Sequence, residues 1–138
     1  MSVYLLDTTT LSLLMRESAS AIGHLETMAA GDRITTSVIV RGEIGYGLAK
    51  VAAGRRRRDL VVRAAALLRE LPCEPVSSSI ADRYAVLKRD LQRKGSSLDE
   101  NDLWIAATAL ELDRTLVTSD SDFGRVEALR LADWSRGA

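Results

Sequence analysis

The feature that most constrains this chain is a repeated switch between two periodicities. Short apolar runs that fit buried strands alternate with longer stretches whose apolar residues recur every three to four positions, as on one side of a helix. Val3-Tyr4-Leu5-Leu6 is the first run, ended by Asp7 and three threonines. Thr8 or Thr9 can cap a helix carrying Leu11, Leu13, Leu14 and Met15, and Ser18 to Ala30 reads as a second helix stopped by Gly31. Arg33-Ile34-Thr35-Thr36 is a second strand. Ser37 then caps a helix with Val40, Ile44, Leu48 and Val51 on one stripe, broken at Gly54. Arg55 to Leu71 reads as a long helix with Leu60, Ala64, Leu67, Leu68 and Leu71 inward. Pro72 and Pro75 bracket a third strand, Cys73 to Val76, and the serines at 77–79 cap a helix from Ile80 to Lys94. A further helix, opened by Ser97 or Asp99, runs through Leu112 and is apolar nearly all round. Thr115 to Thr118 is a fourth strand, Ser119 to Phe123 a polar turn, and Leu129-Arg130-Leu131 a last edge strand.

Strands joined through helices lie parallel, with the helices on both faces of the sheet. The pattern predicts an α/β fold: three layers, α/β/α, around a short parallel sheet of four to five strands. The 138 residues contain no repeat, linker or low-complexity stretch, so one domain spanning 1–138 is expected. No apolar run approaches the length of a membrane span. The start, MSVYLLDTTT, has no basic region and reaches Asp7 early, unlike a signal peptide. Cys73 is the only cysteine, which excludes an intrachain disulfide. A cytoplasmic location is expected on these grounds.

The net charge is zero, yet the charges are segregated. Residues 41–70 hold eight Lys/Arg against three Asp/Glu, a net of +5, whereas residues 99–133 hold three against nine, a net of −6. Arg outnumbers Lys sixteen to three, which favours forked contacts to carboxylate or phosphate.

In a parallel α/β sheet, ligands bind at the carboxyl ends of the strands. Asp7 directly follows the first strand and Asp120 follows the fourth. Glu43 lies about two turns into the helix that leaves the second strand, and that helix starts at this edge. Asp102 lies in the first turn of the helix that enters the fourth, which begins at the same edge. Four acids from four separate segments therefore aim at one side of the fold, with Asp99 and Asp122 nearby. Two carboxylates about 4 Å apart repel by roughly 4 kcal/mol at an effective dielectric of about 20. Protonation or a divalent cation relieves this. All-oxygen ligands suit Mg²⁺, with Mn²⁺ as an alternative, and neither His nor Cys is present in the numbers zinc needs. Mg²⁺ held by few carboxylates activates water and polarises a phosphoryl oxygen. The chemistry expected is metal-assisted phosphodiester hydrolysis. Each acid also has a plain structural role open to it, as helix cap, dipole partner or turn former, so the weight rests on the convergence.

The segments V-Y-L-L-D-T at 3–8, S-V-I-V-R-G-E-I-G-Y-G at 37–47, N-D-L-W-I-A-A at 101–107 and L-V-T-S-D-S-D-F at 116–123 carry a family resemblance. Over essentially its whole length the chain resembles the PIN-domain ribonucleases, and among them the VapC toxins of bacterial VapBC toxin–antitoxin pairs. The resemblance implies a PIN-like fold and a Mg²⁺-dependent endoribonuclease. It also implies a catalytic, metal-holding set made of Asp7, Glu43, Asp102 and Asp120. Thr8, Thr9, Thr118, Ser119 and Asp122 are the expected supporting residues. Thr9 stands where the family usually has Asn in D-T-N, and a hydroxyl there can still orient a carboxylate or water. The partners implied are RNA, a small VapB-like antitoxin that inserts a basic side chain into the acidic pocket, and a second copy of the chain in a homodimer or within the complex.

Arg55 to Arg58 cover every side of one helical turn, and cations there oppose the helix dipole. With Arg41, this run is the expected contact to RNA phosphates or to the antitoxin. Trp104 is expected in the core, Tyr46 is exposed by Gly45 and Gly47, and His24 belongs at a surface or edge. Two other readings remain. One is a PIN-like RNA-binding module without catalysis. The other is a phosphoacceptor or phosphatase domain. A receiver-type site needs a lysine after a late strand, but Lys50, Lys88 and Lys94 all fall on helices. A dehalogenase-type site needs Asp-x-Asp after the first strand, where position 9 is Thr.

Overall fold

The structure, a computed structural model, describes residues 1–137; Ala138, the last residue of the expected domain, lies outside the described residues. The chain runs β1 (Val3–Leu6), α1 (Thr8–Met15), α2 (Ala19–Glu26), β2 (Arg33–Ser37), α3 (Val38–Lys50), α4 (Arg55–Glu70), β3 (Cys73–Glu74), α5 (Ser78–Arg93), α6 (Glu100–Glu111), β4 (Thr115–Val117), a 3₁₀ helix (Ser121–Arg125) and β5 (Leu131–Ala132). The strands form one parallel sheet in the order β3-β2-β1-β4-β5. Right-handed crossovers then put α1 to α4 on one face and α5 with α6 on the other. Packing agrees: α1 lies against α2, α3 and α4, and α5 lies along α6. The α/β/α layering and the five-stranded sheet are as the periodicities predict.

The sheet is buried on both faces, so its central strands are apolar without alternation. Leu5, Leu6, Leu116 and Val117 are fully buried. α6 buries Leu103, Ile105, Ala106, Ala107, Thr108 and Ala109, and its small side chains let it lie close to its neighbours. Side-chain oxygens at Asp7, Ser18, Ser37 and Ser77 accept from the third residue onward, capping α1, α2, α3 and α5. α4 has no such cap: its preceding residue is Gly54, at φ 150°, a conformation other side chains resist.

α3 is unusual in carrying Gly42, Gly45 and Gly47 within one helix. Each costs about 0.5–1 kcal/mol of helix stability relative to Ala. Among the described residues, a Cβ added at any of them would meet nothing within 4 Å, so packing there demands none of the three.

Several boundaries differ from expectation. α2 ends at Glu26 rather than Ala30, because the Thr27 hydroxyl donates to the Gly23 and His24 carbonyls and closes the last turn. β3 stops at Glu74 because Pro75 has no N–H to extend the ladder. The polar turn after β4 is a 3₁₀ helix. The last strand is Leu131–Ala132 rather than 129–131, since Ala128 turns at φ 66° and the chain enters the sheet only afterwards. Trp104 is half-buried rather than in the core, stacked on Tyr84 with centroids 3.8 Å apart. His24 stacks on buried Trp134 and donates from Nε2 to the Arg136 carbonyl, fastening the C-terminal segment. Among the described residues no helix is long and apolar enough to cross a membrane.

Candidate functional site

Strand order reverses at β1: the connection from β1 leads to β2 on one side, while β4 lies on the other. The crevice between the carboxyl ends of β1 and β4 is where such sheets bind ligands. Asp7 sits at its base, only 4% exposed. Its backbone N–H donates to the Val117 carbonyl at 3.1 Å, and its Oδ1 accepts from the Thr10 N–H at 2.8 Å. Thr10 Oγ1 donates to the same Val117 carbonyl at 2.9 Å. The carboxylate is thus fixed by the joint between two strands and a helix start.

The other three acids reach this crevice from separate elements. Asp120 follows β4; its N–H donates to Thr118 Oγ1 at 3.0 Å and its Oδ1 caps the 3₁₀ helix through the Asp122 N–H at 2.9 Å. Glu43, on α3, is held at both oxygens: Thr8 Oγ1 donates to Oε1 at 2.5 Å and Asn101 Nδ2 to Oε2 at 3.3 Å. Asp102, in the first turn of α6, accepts no side-chain or capping hydrogen bond among the described residues.

The charges of these acids act on one another. Burial raises the pKa of Asp7; the Thr118 hydroxyl and the Thr10 N–H and hydroxyl oppose the rise, and the charge of Asp120 adds to it. Asp102 is pushed up to about 6, first by burial, then by the charges of Glu43, Asp120, Asp99 and Asp7. Ion pairs form elsewhere, and among the described residues none involves Asp7, Glu43, Asp102 or Asp120. Arg125 pairs with Asp122 at 3.2 Å, which turns that acid to a partner of its own.

The donor set is oxygen only, which suits a hard divalent cation. Among the described residues, no three acidic, His or Cys side chains are gathered tightly enough to form a ready cation cage. Three of the four acids are held in place by hydrogen bonds. Asp7 and Asp120 cap backbone N–H groups and Glu43 is clamped by Thr8 and Asn101, leaving Asp102 without a donor.

Of the expected supporting residues, Thr8 and Thr118 bond to acids of the cluster, whereas Thr9 and Ser119 are exposed. Arg41 lies toward β3, where its charge partly offsets the burial that raises the Cys73 thiol. Arg55, Arg56 and Arg58 are exposed and Arg57 is half-buried; among the described residues these four form no ion pair. Asn101 and Thr10 are the residues that sequence reasoning passed over. The position of Asn101 beside Asp102 was the available signal for the first, and the third place in the threonine run for the second.

Two cavities flank Glu43. One, of 140 Å³, lies among α1, α3 and α4 and is lined by Thr8, Met15, Ile44, Leu48, Val51 and Leu60, among others. The second, a 620 Å³ groove, runs from Thr8, Glu43 and Asn101 along α3 past Gly42 and Tyr46 to Lys50. A larger 640 Å³ cavity lies at the amino ends of β1, β2 and β4, beside Arg33, Arg114 and Arg130, and contains none of the four acids.

The PIN domain family model matches residues 4–129. The chain is 30% identical over 137 residues to Ribonuclease VapC1 of Haemophilus influenzae strain R2866, covering 97% of this chain and 99% of that protein. It is 29% identical over 136 residues to Ribonuclease VapC2 of Rickettsia felis, again covering 97% and 99%. Among solved structures it is similar to VapBC2 from Rickettsia felis bound to a promoter DNA fragment, with a TM-score of 0.86 and 28% identity, covering 96% of this chain and 98% of that one. The fold, the acids at the β1/β4 crevice and these full-length similarities agree: the chain belongs to the PIN domain family, in its VapC ribonuclease branch.

Proposed function

We propose that this chain is the toxin of a toxin–antitoxin pair, an endoribonuclease that hydrolyses RNA phosphodiester bonds with Mg²⁺ held by Asp7, Glu43, Asp102 and Asp120, Mn²⁺ being able to replace it. The observation that carries the reading is the convergence of four carboxylates from four elements with, among the described residues, no cationic side chain paired to any of them. Mg²⁺ bound there supplies Lewis-acid polarisation of the phosphoryl oxygen and acidifies water. The protein contributes placement. Asp7 is immobilised by β1, β4 and the α1 cap, and Glu43 is oriented by the Thr8 and Asn101 donors. Thr118 fixes the Asp120 backbone at the rim.

The partner reading follows from the same neighbourhood. VapBC2 of Rickettsia felis was solved as a complex, and the apolar cavity among α1, α3 and α4 opens beside Glu43. A small antitoxin can seat an apolar side chain there and reach Glu43 with a basic one, while Arg55 to Arg58 receive its acidic groups or RNA phosphates. The whole chain acts as one nuclease domain in the cytoplasm, as a homodimer or as a dimer within the toxin–antitoxin complex. Expression of the chain should arrest bacterial growth, and co-expression of its antitoxin or the change Asp7→Asn should relieve the arrest. Unimpaired growth at high expression, or arrest by Asp7→Asn equal to the parent, contradicts the reading.

A further inference from the structure

The 620 Å³ groove along α3 begins at Glu43 and Asn101 and ends at Tyr46 and Lys50. Tyr46 is 67% exposed, a large aromatic side chain that the fold leaves uncovered. Lys50 Nζ stands 4.6 Å from its ring centroid and, among the described residues, forms no ion pair. Tyr46 and Lys50 lie three and seven residues beyond Glu43, so at about 1.5 Å per residue they are roughly 4.5 and 10.5 Å further along the axis. That is the span of one to two nucleotides of an extended strand.

The groove floor includes Gly42 and Gly47. Both weaken the helix, and neither is required by a contact among the described residues. Without side chains there, the surface of α3 is open to the close approach of a ligand. The groove contains Thr8, Glu43 and Asn101, residues of the acidic site itself, so a strand seated at the site overlies it. An exposed aromatic ring with an ammonium over it pairs a surface for base stacking with a contact for a phosphate. Single-stranded RNA offers such unstacked bases, whereas a duplex does not.

We propose that Tyr46 and Lys50 form a nucleotide subsite for the single-stranded RNA substrate, Tyr46 stacking on the base adjoining the scissile phosphate and Lys50 pairing with the next phosphate. The glycines at 42 and 47 keep the floor low enough for the strand to pass. The subsite rests on the ribonuclease reading and adds to it the side chains that set where the strand lies.

The test is steady-state cleavage of a short fluorogenic single-stranded oligoribonucleotide by the full chain in Mg²⁺, with sedimentation velocity on the same samples. Tyr46→Ala should raise KM about tenfold with kcat nearly constant, and Tyr46→Phe should restore the parent KM. Lys50→Ala should raise KM and make it less sensitive to salt. Gly42→Leu, which fills the groove, should raise KM at least about fivefold. Gly45→Leu, off the groove on the same helix, should leave KM unchanged and so controls for damage to α3. If the parent cleaves and neither Tyr46→Ala nor Gly42→Leu moves KM, the subsite is refuted and the ribonuclease reading stands. If Tyr46→Ala converts a dimer to monomer at unchanged KM, the face is a contact between copies and the subsite is again refuted. No cleavage by the parent in Mg²⁺ or Mn²⁺ overturns both.

Discussion

The Thr8 hydroxyl donates to Glu43 Oε1 at 2.5 Å, joining the first residue of α1 to the middle of α3 across 35 positions of sequence. Thr8 adjoins Asp7, so one short contact sets the separation between two acids of the cluster. Asn101, adjoining Asp102, donates to the other oxygen of Glu43. Two residues next to proposed metal-holding acids therefore orient a third acid. Orienting partners of this kind are typically worth about 10–100-fold in metal affinity or activity.

Thr8→Val should lower RNA cleavage and Mn²⁺ affinity about tenfold while preserving the fold. Thr9→Val should leave both nearly unchanged, because Thr9 is exposed and bonds to none of the acids. Isothermal titration with Mn²⁺ and a cleavage assay read the two effects separately. Equal losses from the two variants contradict the distinction between them.

The crowding of acids also sets a pH dependence. In the folded chain Asp102 is pushed up to about 6, against the ordinary aspartate value of 3.8. Between those values the folded state binds more protons than the unfolded one, so stability falls as pH rises. Partial exposure screens the effect, leaving about 1–2 kcal/mol across the window. Asp7 acts in the same direction. Urea unfolding of metal-free protein should show this decline from about pH 4 to 6. Asp102→Asn should flatten it and raise stability at neutral pH. Millimolar Mg²⁺ should restore stability to the parent by mass action. A parent more stable at pH 7 than at pH 4.5, without metal, would run against this account.

The arginine run predicts a salt-dependent phenotype. Changing both Arg56 and Arg57 to Glu should weaken antitoxin or RNA binding, most strongly at low ionic strength, because exposed charges are screened by salt. Metal binding should persist, since of the four acids only Glu43 lies within 41–71, and it faces α1 and α6. Unchanged binding of both partners at low salt would leave the run as a solvated helix end, and loss of metal would show that α4 bears on the acidic site.

Much of this was legible in the sequence because it is local. Strand-to-helix switches are written in periodicity, and once strands are known to be parallel, the residues following them fall at one edge. Asp7 and Asp120 could be placed from that alone, and Glu43 and Asp102 from helices that start at that edge. The contacts between these elements were not legible. Asn101 and Glu43 are 58 positions apart, and His24 and Arg136 are 112 apart, and no periodic signal marks either pair. Ends of elements were misjudged where a single group decides them, as the Thr27 hydroxyl does for α2 and the missing N–H of Pro75 for β3. Trp104 was expected inside because aromatic residues usually are, but Tyr84 meets it near the surface and shares its burial.

The most direct test of the central claim is cleavage of a circular RNA by the purified chain, read on a denaturing gel. Only an endonuclease can open a circle. The parent should linearise it in Mg²⁺ or Mn²⁺, fail in EDTA and recover when the metal is restored, and Asp102→Asn should fail in every condition while remaining folded. Linearisation that persists in EDTA, or with Asp102→Asn at the parent rate, would contradict the assignment of RNA hydrolysis to these four carboxylates.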